Sequence, residues 1–516
     1  MPEVIQDERP VDAPASTAHG QQWRGVLAAV DMGSNSFRLE LAQIREGQYR
    51  RIAYLKETVR LGGGLGPDGR LSRVAVERAL ACLARFRQRL GGLPSTQLRA
   101  VATQTLREAS NRDEFLFQAE QVLGYPIEVI SGREEARLIY TGVSRLEPAA
   151  HARLVIDIGG RSTELIVGEG EAARLAESFQ IGSVSLSERY FPEGRCTEQA
   201  FREAQIAAGA AFEEVTQAFG RHRWKEVLGS SGTAGAAAEL LEANGLSDGT
   251  INEAGLRWCM RECIRAGTVH ALKLDGLREE RRAVLPGGVA ILSALLNQFG
   301  IDEIRPTRAA LRQGVIFDLS ERIAASRAHD RATWRDETVR DLQRRFEVDL
   351  GQAQHVRELT LALYDRMVPN PPHEARQELA WAAALHEIGM SVSHHDHHRH
   401  SAYLLAHIDA PGFSQSQQRR LADLVLGQRG GLRKIEVLLA DPHRAAQVLA
   451  LRLAVLFFHA RSELLAEVPQ IELKEGVATL TLDPAWAKEQ PRCMHLLREE
   501  QQVWARIGDI DLVLVA

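Results

Sequence analysis

Two stretches of this chain carry the same chemistry at the same spacing: VDMGSNSFRLEL at 30–41 and IDIGGRSTELIV at 156–167. In each, an apolar run ends in Asp-x-Gly, followed by a small residue, a variable residue and Ser, before a second apolar run. Laid on one another, they bring Asp31 onto Asp157, Gly33 onto Gly159 and Ser36 onto Ser162. A β-hairpin with a glycine-rich tip turns consecutive backbone N–H groups outward into a concave anion site. Glycine tolerates left-handed backbone and lets phosphate oxygens approach the main chain. Serine adds a hydroxyl donor, and the aspartate is placed to hold Mg²⁺ beside those oxygens. One such hairpin is a common turn. Two in register predict a duplicated domain whose loops, Gly33-Ser34-Asn35-Ser36 and Gly159-Gly160-Arg161-Ser162, face each other across a cleft.

A third segment, SGREEARLIY at 131–140, opens a helix. Ser131 and Glu134 fit a capping box, which would fold Glu134 back on the helix N-terminus. Glu135, about 100° further round, is then free to face the cleft.

The elements that must position these groups follow from periodicity. From about 25 to 318, strand-like runs (VLAAVDMG, FRLELAQI, LRAVATQT, PIEVIS, RLVIDIGG, TELIVGEG, EVLGSSG) alternate with helical ones (VAVERALACLARFRQRL, NRDEFLFQAEQVLG, EEARLIYTGVS, VAILSALLNQFG). Such alternation predicts α/β layers. After about 320 the pattern becomes nearly continuous amphipathic helix, and the end reverts to a hairpin, IELKEG/VATLTL, and a last strand, DIDLVLVA. Boundaries fall near 24, 136, 318 and 430. They delimit a tail (1–24), two α/β domains (25–136 and 137–318), a helical domain (319–430) and a small α+β domain (431–516).

Composition narrows the ligand. Of 516 residues, 45% are hydrophobic and 25% charged, as in soluble globular proteins. The 63 Lys and Arg stand against 68 Asp and Glu, a formal charge of -5. That excludes a uniformly basic nucleic-acid coat, so a polyanion would bind only where positive charge is gathered locally. Only six of the basic residues are lysine. Arginine's fork suits phosphate, although a GC-rich genome yields the same bias. The five cysteines form no CxxC pair, and Cys259 and Cys263 read as buried thiols on one helix face; a reducing compartment, the cytoplasm, is expected. Residues 1–24 read as a disordered tail without the apolar core of a signal peptide. VLALRLAVLFF at 448–458 is interrupted by Arg452 and is shorter than the roughly 18 residues of a membrane span.

VDMGSNSFRLEL, VATQTLREASN, ISGREEARLIYTGV and LVIDIGGRSTELIVG together resemble the exopolyphosphatase/guanosine pentaphosphate phosphohydrolase family of the actin-like ATPase and sugar kinase superfamily. LGSSGTAGAAAE, LPGGVAILSALLNQF, AALRQGVIFDL and ALHEIGMSV continue the likeness. The resemblance implies two actin-like (ribonuclease H-like) domains, an all-α HD-like domain and a small α+β C-terminal domain. It implies Glu135 as the catalytic acid, with Asp157 binding metal and Glu164 holding metal-bound or attacking water. Arg107 matches an arginine directed at the phosphate chain, where its fork would take two oxygens. Arg38 stands in the first loop where the second has Glu164, so the second hairpin is expected to run metal and chemistry. The first would then cradle phosphate, with Asp31 as a supporting metal ligand. Arg161 departs from the glycine usual there: it either strains the loop or adds a guanidinium to the anion site.

The implied activity is Mg²⁺-dependent release of orthophosphate from inorganic polyphosphate. Hydrolysis of guanosine pentaphosphate to the tetraphosphate is the alternative, and a stimulating monovalent cation and a homodimer come with the resemblance. Peripheral membrane association stays open. A non-catalytic sensor would need the acids displaced, yet all three are present. A sugar kinase of the same superfamily would lack these motifs. GLGPDG at 64–69 satisfies G-x-G-x-x-G but carries Pro67 and no acid about 20 positions on, so it reads as an exposed loop. SHHDHHRH at 393–400, with His386-Glu387 upstream, reads as a histidine-rich loop beside a degenerate HD-like fold rather than as a second metal site. Such a loop would become positive below neutrality.

Overall fold

The computed structural model describes residues 25–45, 47–328, 334–461, 468–507 and 510–515. The tail expected at 1–24 lies outside them. The chain forms two compact units, Met1–Arg331 and Ala332–Ala516.

The first unit holds two sheets. β1 (Val26–Met32), β2 (Ser36–Arg45), β3 (Gln48–Thr58), β4 (Leu98–Ala102) and β5 (Ile127–Val129) lie in the order β3-β2-β1-β4-β5. β6 (Arg153–Ile158), β7 (Thr163–Glu169), β8 (Ala172–Phe179), β9 (Glu226–Ser230), β10 (Ile251–Asn252) and β11 (Glu303–Pro306) form the second, ordered β10-β11-β9-β6-β7-β8. In each, the first strand pairs antiparallel with the next and parallel with the strand beyond the hairpin. The repeat seen in two short motifs is therefore a repeat of topology, with β10 as an added antiparallel edge. β3 and β8 are flanking strands whose mixed charged and half-buried residues give no clean alternation, and sequence periodicity missed both.

The first strand of each sheet is apolar on both faces because both faces are covered. Ala28, Val30 and Met32 join an outer core under the helix Arg73–Leu90, which Ser72 caps and left-handed Gly91 ends. Leu27 and Ala29 face the other way, into a core shared with Val155 of β6 and Leu228 of β9. Two helices fill that shared core, Gly132–Leu146 and Leu311–Ala328. They cross on glycine: a Cβ on Gly314 would sit 1.7 Å from the Leu138 carbonyl oxygen, and one on Gly142 2.7 Å from that of Ala310.

The second unit is helical around one core, with a small sheet ordered β12-β13-β14 (Gln470–Lys474, Val477–Thr481, Asp511–Val515). Glu475 and Gly476, both at positive φ, make the tight hairpin turn between β12 and β13. The apolar run at 448–458 lies in the buried helix Pro442–Phe457, where Arg452 donates to the Gly427 carbonyl and pairs with Glu500. No described helix is long and apolar enough to cross a membrane.

Gly314→Ala is expected to push the two crossing helices apart and destabilise the first unit by roughly 1–3 kcal/mol, the usual range for overpacking. Chemical denaturation of the purified variant reads this directly, and Gly170→Ala, a positive-φ position with open space around it, reports the backbone penalty alone.

Candidate active site

Strand register turns the sequence motifs into neighbours. Asp31 lies directly across from Arg38 on β1–β2, and Asp157 directly across from Glu164 on β6–β7. The two loop tips meet: a Cβ on Gly160 would lie 3.1 Å from Cβ of Ser34 and 3.7 Å from the Asn35 nitrogen. None of Gly33, Gly159 and Gly160 has positive φ. The expectation of left-handed backbone is corrected here, and what glycine supplies at 160 is the close approach of two loops.

The loops are wired alike. Carbonyls of Ser34 and Asn35 accept from the backbone N–H groups of Gly62 and Arg60, each at 2.8 Å. Those of Gly159 and Gly160 accept from Ser183, Val184 and Ser185 at the start of the helix Ser183–Tyr190. The N–H groups of Ser34, Asn35, Gly160, Arg161 and Ser162 donate to no backbone carbonyl among the described residues. Tied carbonyls and free amides are what an anion cradle needs. Thr105 donates to the Ser34 hydroxyl at 2.8 Å, while Ser36 buries its hydroxyl without a partner. The loop 64–69 is a turn, not a nucleotide fingerprint.

The three expected acids converge. Glu135, buried at the start of Gly132–Leu146, accepts from Nη1 of Arg107 at 2.9 Å, and the same nitrogen donates to the Ile130 carbonyl at 2.9 Å. Burial raises the Glu135 carboxyl to about 7 against the pull of Arg107, with repulsion from Asp157 and Asp31 adding to the rise. Burial likewise raises Asp157 to about 6, opposed by the Ser230 hydroxyl and Arg38. Glu164, held by a 2.8 Å hydrogen bond from Ser178, is pushed well above the carboxylate range by burial and by the charges of Glu135 and Asp157. Ser131 does cap this helix through the Glu134 N–H, but the Glu134 side chain does not fold back. It is fully buried in an ion network with Arg137 (2.7 Å) and Arg99 (3.4 Å), which also hold Asp318.

No group of three or more His, Cys, Asp or Glu among the described residues is arranged to hold a metal. Mg²⁺ commonly takes only one or two carboxylates, with water and phosphate oxygens completing its shell. Asp157 and Glu164, hard oxygen donors side by side and raised by burial, fit that requirement. Asp31 is instead engaged by Arg38 at 3.0 Å and Arg312 at 3.8 Å.

Several cations at the site were invisible in the motifs. Arg312 spans Asp31 and Glu40, bonding the latter at 3.0 Å. Burial holds both Lys56 and Arg281 below their ordinary values, helped at Lys56 by the charges of Arg281 and Arg38 and at Arg281 by that of Arg38, with Glu280 as the opposing acid. They come from β3 and from residues 279–282, far apart in sequence. Only the sheet pairing that sets β3 beside β2 could have signalled the first.

Arg161 resolves neither as strain nor as a free anion donor. Its φ is not positive, and its side chain leaves its own loop for Glu108, with Nη2 at 2.9 Å and Nε at 3.0 Å from Oε2.

In the second unit, 393–400 is loop only in its first half; His397 and His398 are buried in the helix His397–His407. Burial lowers both to about 4, so these two stay neutral well below pH 6, unlike the expected titrating loop. Glu387, the acid after His386, is engaged by Arg461 at 2.8 Å. Nearby, a cleft of about 640 Å³ is lined by Arg399, Arg433, Lys434 and Arg506, with Asp396 and His398.

Residues 41–323 match the model of the Ppx/GppA phosphatase family, and 334–501 match its domain III. The chain belongs to the Ppx/GppA phosphatase family. Among solved structures, an exopolyphosphatase-like protein is 26% identical with a TM-score of 0.52, covering 58% of this chain and 99% of its own. An exopolyphosphatase from Cytophaga hutchinsonii is 24% identical with a TM-score of 0.52, covering 57% of this chain and 98% of its own; that likeness speaks to the fold.

For this Ppx/GppA phosphatase, the raised acids make a stability prediction. A carboxyl raised on folding destabilises the folded state above its unfolded value, because the unfolded chain releases the proton more readily. Glu164→Gln keeps the Ser178 acceptor and removes that cost. Measured in a chelator, it should raise Tm by several degrees at pH 8 and leave it unchanged near pH 4.5.

Proposed function

We propose that the chain is an exopolyphosphatase, hydrolysing the terminal phosphoanhydride of inorganic polyphosphate and releasing orthophosphate. The supporting observation is the convergence of two amide-lined loops and three acids, Glu135 and Glu164 buried and Asp157 half-buried, from both α/β domains. Glu135, raised to about 7, suits a general base near neutral pH. It accepts a proton from the water that attacks the terminal phosphorus in line, as the bond to the bridging oxygen breaks. Arg107 does not offer its fork: Nε and Nη2 donate to the Gln104 oxygen and Nη1 to Glu135 and the Ile130 carbonyl, so it orients the base while the free N–H groups of both loops take the oxygens of the transferring group. Asp157 and Glu164 would hold Mg²⁺, which neutralises charge on the phosphate oxygens. Arg38, Lys56 and Arg281 offer positive charge to the phosphates that follow, so binding should weaken with salt.

Guanosine pentaphosphate presents the same terminal anhydride, and competition between it and long polyphosphate ranks the two. Glu135→Gln is expected to lower phosphate release from long polyphosphate by about 10²–10⁴-fold, the usual worth of a general base. Full activity in that variant, measured as orthophosphate released by purified protein, overturns the assignment of the base.

A further inference from the structure

One chain of polar contacts runs from the tip of the second loop to Glu135. Arg161 crosses the cleft to Oε2 of Glu108, and its Nη1 also lies 3.5 Å from the Gly62 carbonyl oxygen. The other oxygen of Glu108 accepts from the Gln104 side-chain nitrogen at 2.7 Å. That contact fixes the amide's orientation, leaving its oxygen to accept from both Nε (2.9 Å) and Nη2 (2.6 Å) of Arg107. With two of its three nitrogens held this way, the third, Nη1, is turned to the Ile130 carbonyl and to Glu135, each at 2.9 Å.

Gln104 is 3% exposed at the start of the short helix Gln104–Glu108, out of reach of water that could replace a lost partner of its amide. A side-chain amide has a donor end and an acceptor end. Without Glu108 to receive its N–H, either end could face Arg107, and the donor end would repel it. Glu108 in turn is about one-quarter exposed and would be free to swing to solvent without Arg161. Each member thus fixes the next.

We propose that Gln104 is a positioning residue for Arg107, and that Glu108 and Arg161 set its orientation from across the cleft. The inference rests on the reading of Glu135 as the base, whose carboxylate Arg107 orients. Its consequence is that the second domain, through Arg161, aims an arginine of the first domain at that base. Orienting a base acts on the transition state more than on ground-state binding, so its loss appears in kcat rather than KM.

The test is a set of mutant cycles on phosphate release from long polyphosphate. Gln104→Met, of similar length but without polar atoms, should lower kcat about 10-fold with KM within a factor of about three. Gln104→Glu, which keeps the acceptor for Arg107, should retain most of kcat. Arg161→Ala should lower kcat less, and the Gln104→Met/Arg161→Ala double variant should be no worse than Gln104→Met alone. In an Arg107→Ala background, Gln104→Met should have no further effect. A Gln104→Met loss that persists without Arg107 marks a merely structural role and overturns the proposal. So does full additivity with Arg161→Ala, or a rise in KM without a fall in kcat for Arg161→Ala, which would make Arg161 a phosphate ligand. Should Gln104→Met fold poorly, Glu108→Ala replaces it in the same cycle with the same expectations. If Arg107→Ala and Glu135→Gln both keep full activity, the underlying reading of the site has failed; if only the cycles fail, the relay alone has.

Discussion

Like charges held together away from water are the constraint on which the rest depends. Glu135, Asp157 and Glu164 come from a helix start and two adjacent strands, and burial pushes each toward its neutral form. Left to themselves they would spread apart or protonate. They stay because each is fixed by something stiffer than the repulsion. The β6–β7 ladder sets Asp157 against Glu164, and Ser178 holds the latter. The start of the Gly132–Leu146 helix is pinned by its Ser131 cap and by Glu134, buried among arginines. The sequence places two acids with different surroundings side by side: Glu134 anchors the turn among arginines, and Glu135 is turned toward Arg107.

Duplication supplies the scaffold, and one substitution within it divides the labour. Both hairpins carry an aspartate at the end of the first strand, facing a charged residue on the second. In the first the partner is Arg38, and the pair closes as a 3.0 Å ion pair with Arg312 behind it. In the second the partner is Glu164, and among the described residues no cation pairs with either acid. Matching hairpins therefore present opposite local fields. The first closes on its own ion pair and leaves Arg38 beside Lys56 and Arg281, a region of positive charge. The second sets two acids side by side and is a region of negative charge once they ionise.

How much of this was legible in the sequence depended on whether the signal was local. The hairpins, the alternation of strand and helix and the turn at 64–69 rest on spacing within a dozen residues and appear where expected, while Asp157 and Glu164 stand out as a working pair only through the family resemblance and are neighbours by strand register. Glycine's role was misread because sequence shows that a side chain is absent, not why: Gly160 makes room for Ser34, a residue of another domain. Glu134 reads as a capping partner because Arg99, which claims it together with Arg137, and Asp318, which shares both arginines, lie far along the chain. Arg281, Arg312 and Lys56 stand in no local pattern of charge for the same reason, and the Glu108 partner of Arg161 lies outside its loop. Edge strands β3 and β8 went unseen because only half of each is covered. In the second unit, burial of His397 and His398 reversed an expectation drawn from ordinary histidine chemistry.

The first unit is also unequal in how its two domains are joined. On the buried side, the helices Gly132–Leu146 and Leu311–Ala328 cross where Gly142 and Gly314 let backbone touch backbone, inside a core drawn from both sheets. Close packing of that kind resists small displacements steeply, since a gap of even half an ångström forfeits much of the contact energy. On the open side, the loop tips approach over glycine and are tied by one arginine, Arg161, to an acid one-quarter exposed to water. The joint is therefore firm by close packing where the core is shared and held by directional polar contacts of Arg161 at the tips, the contacts on which the aim of Arg107 depends.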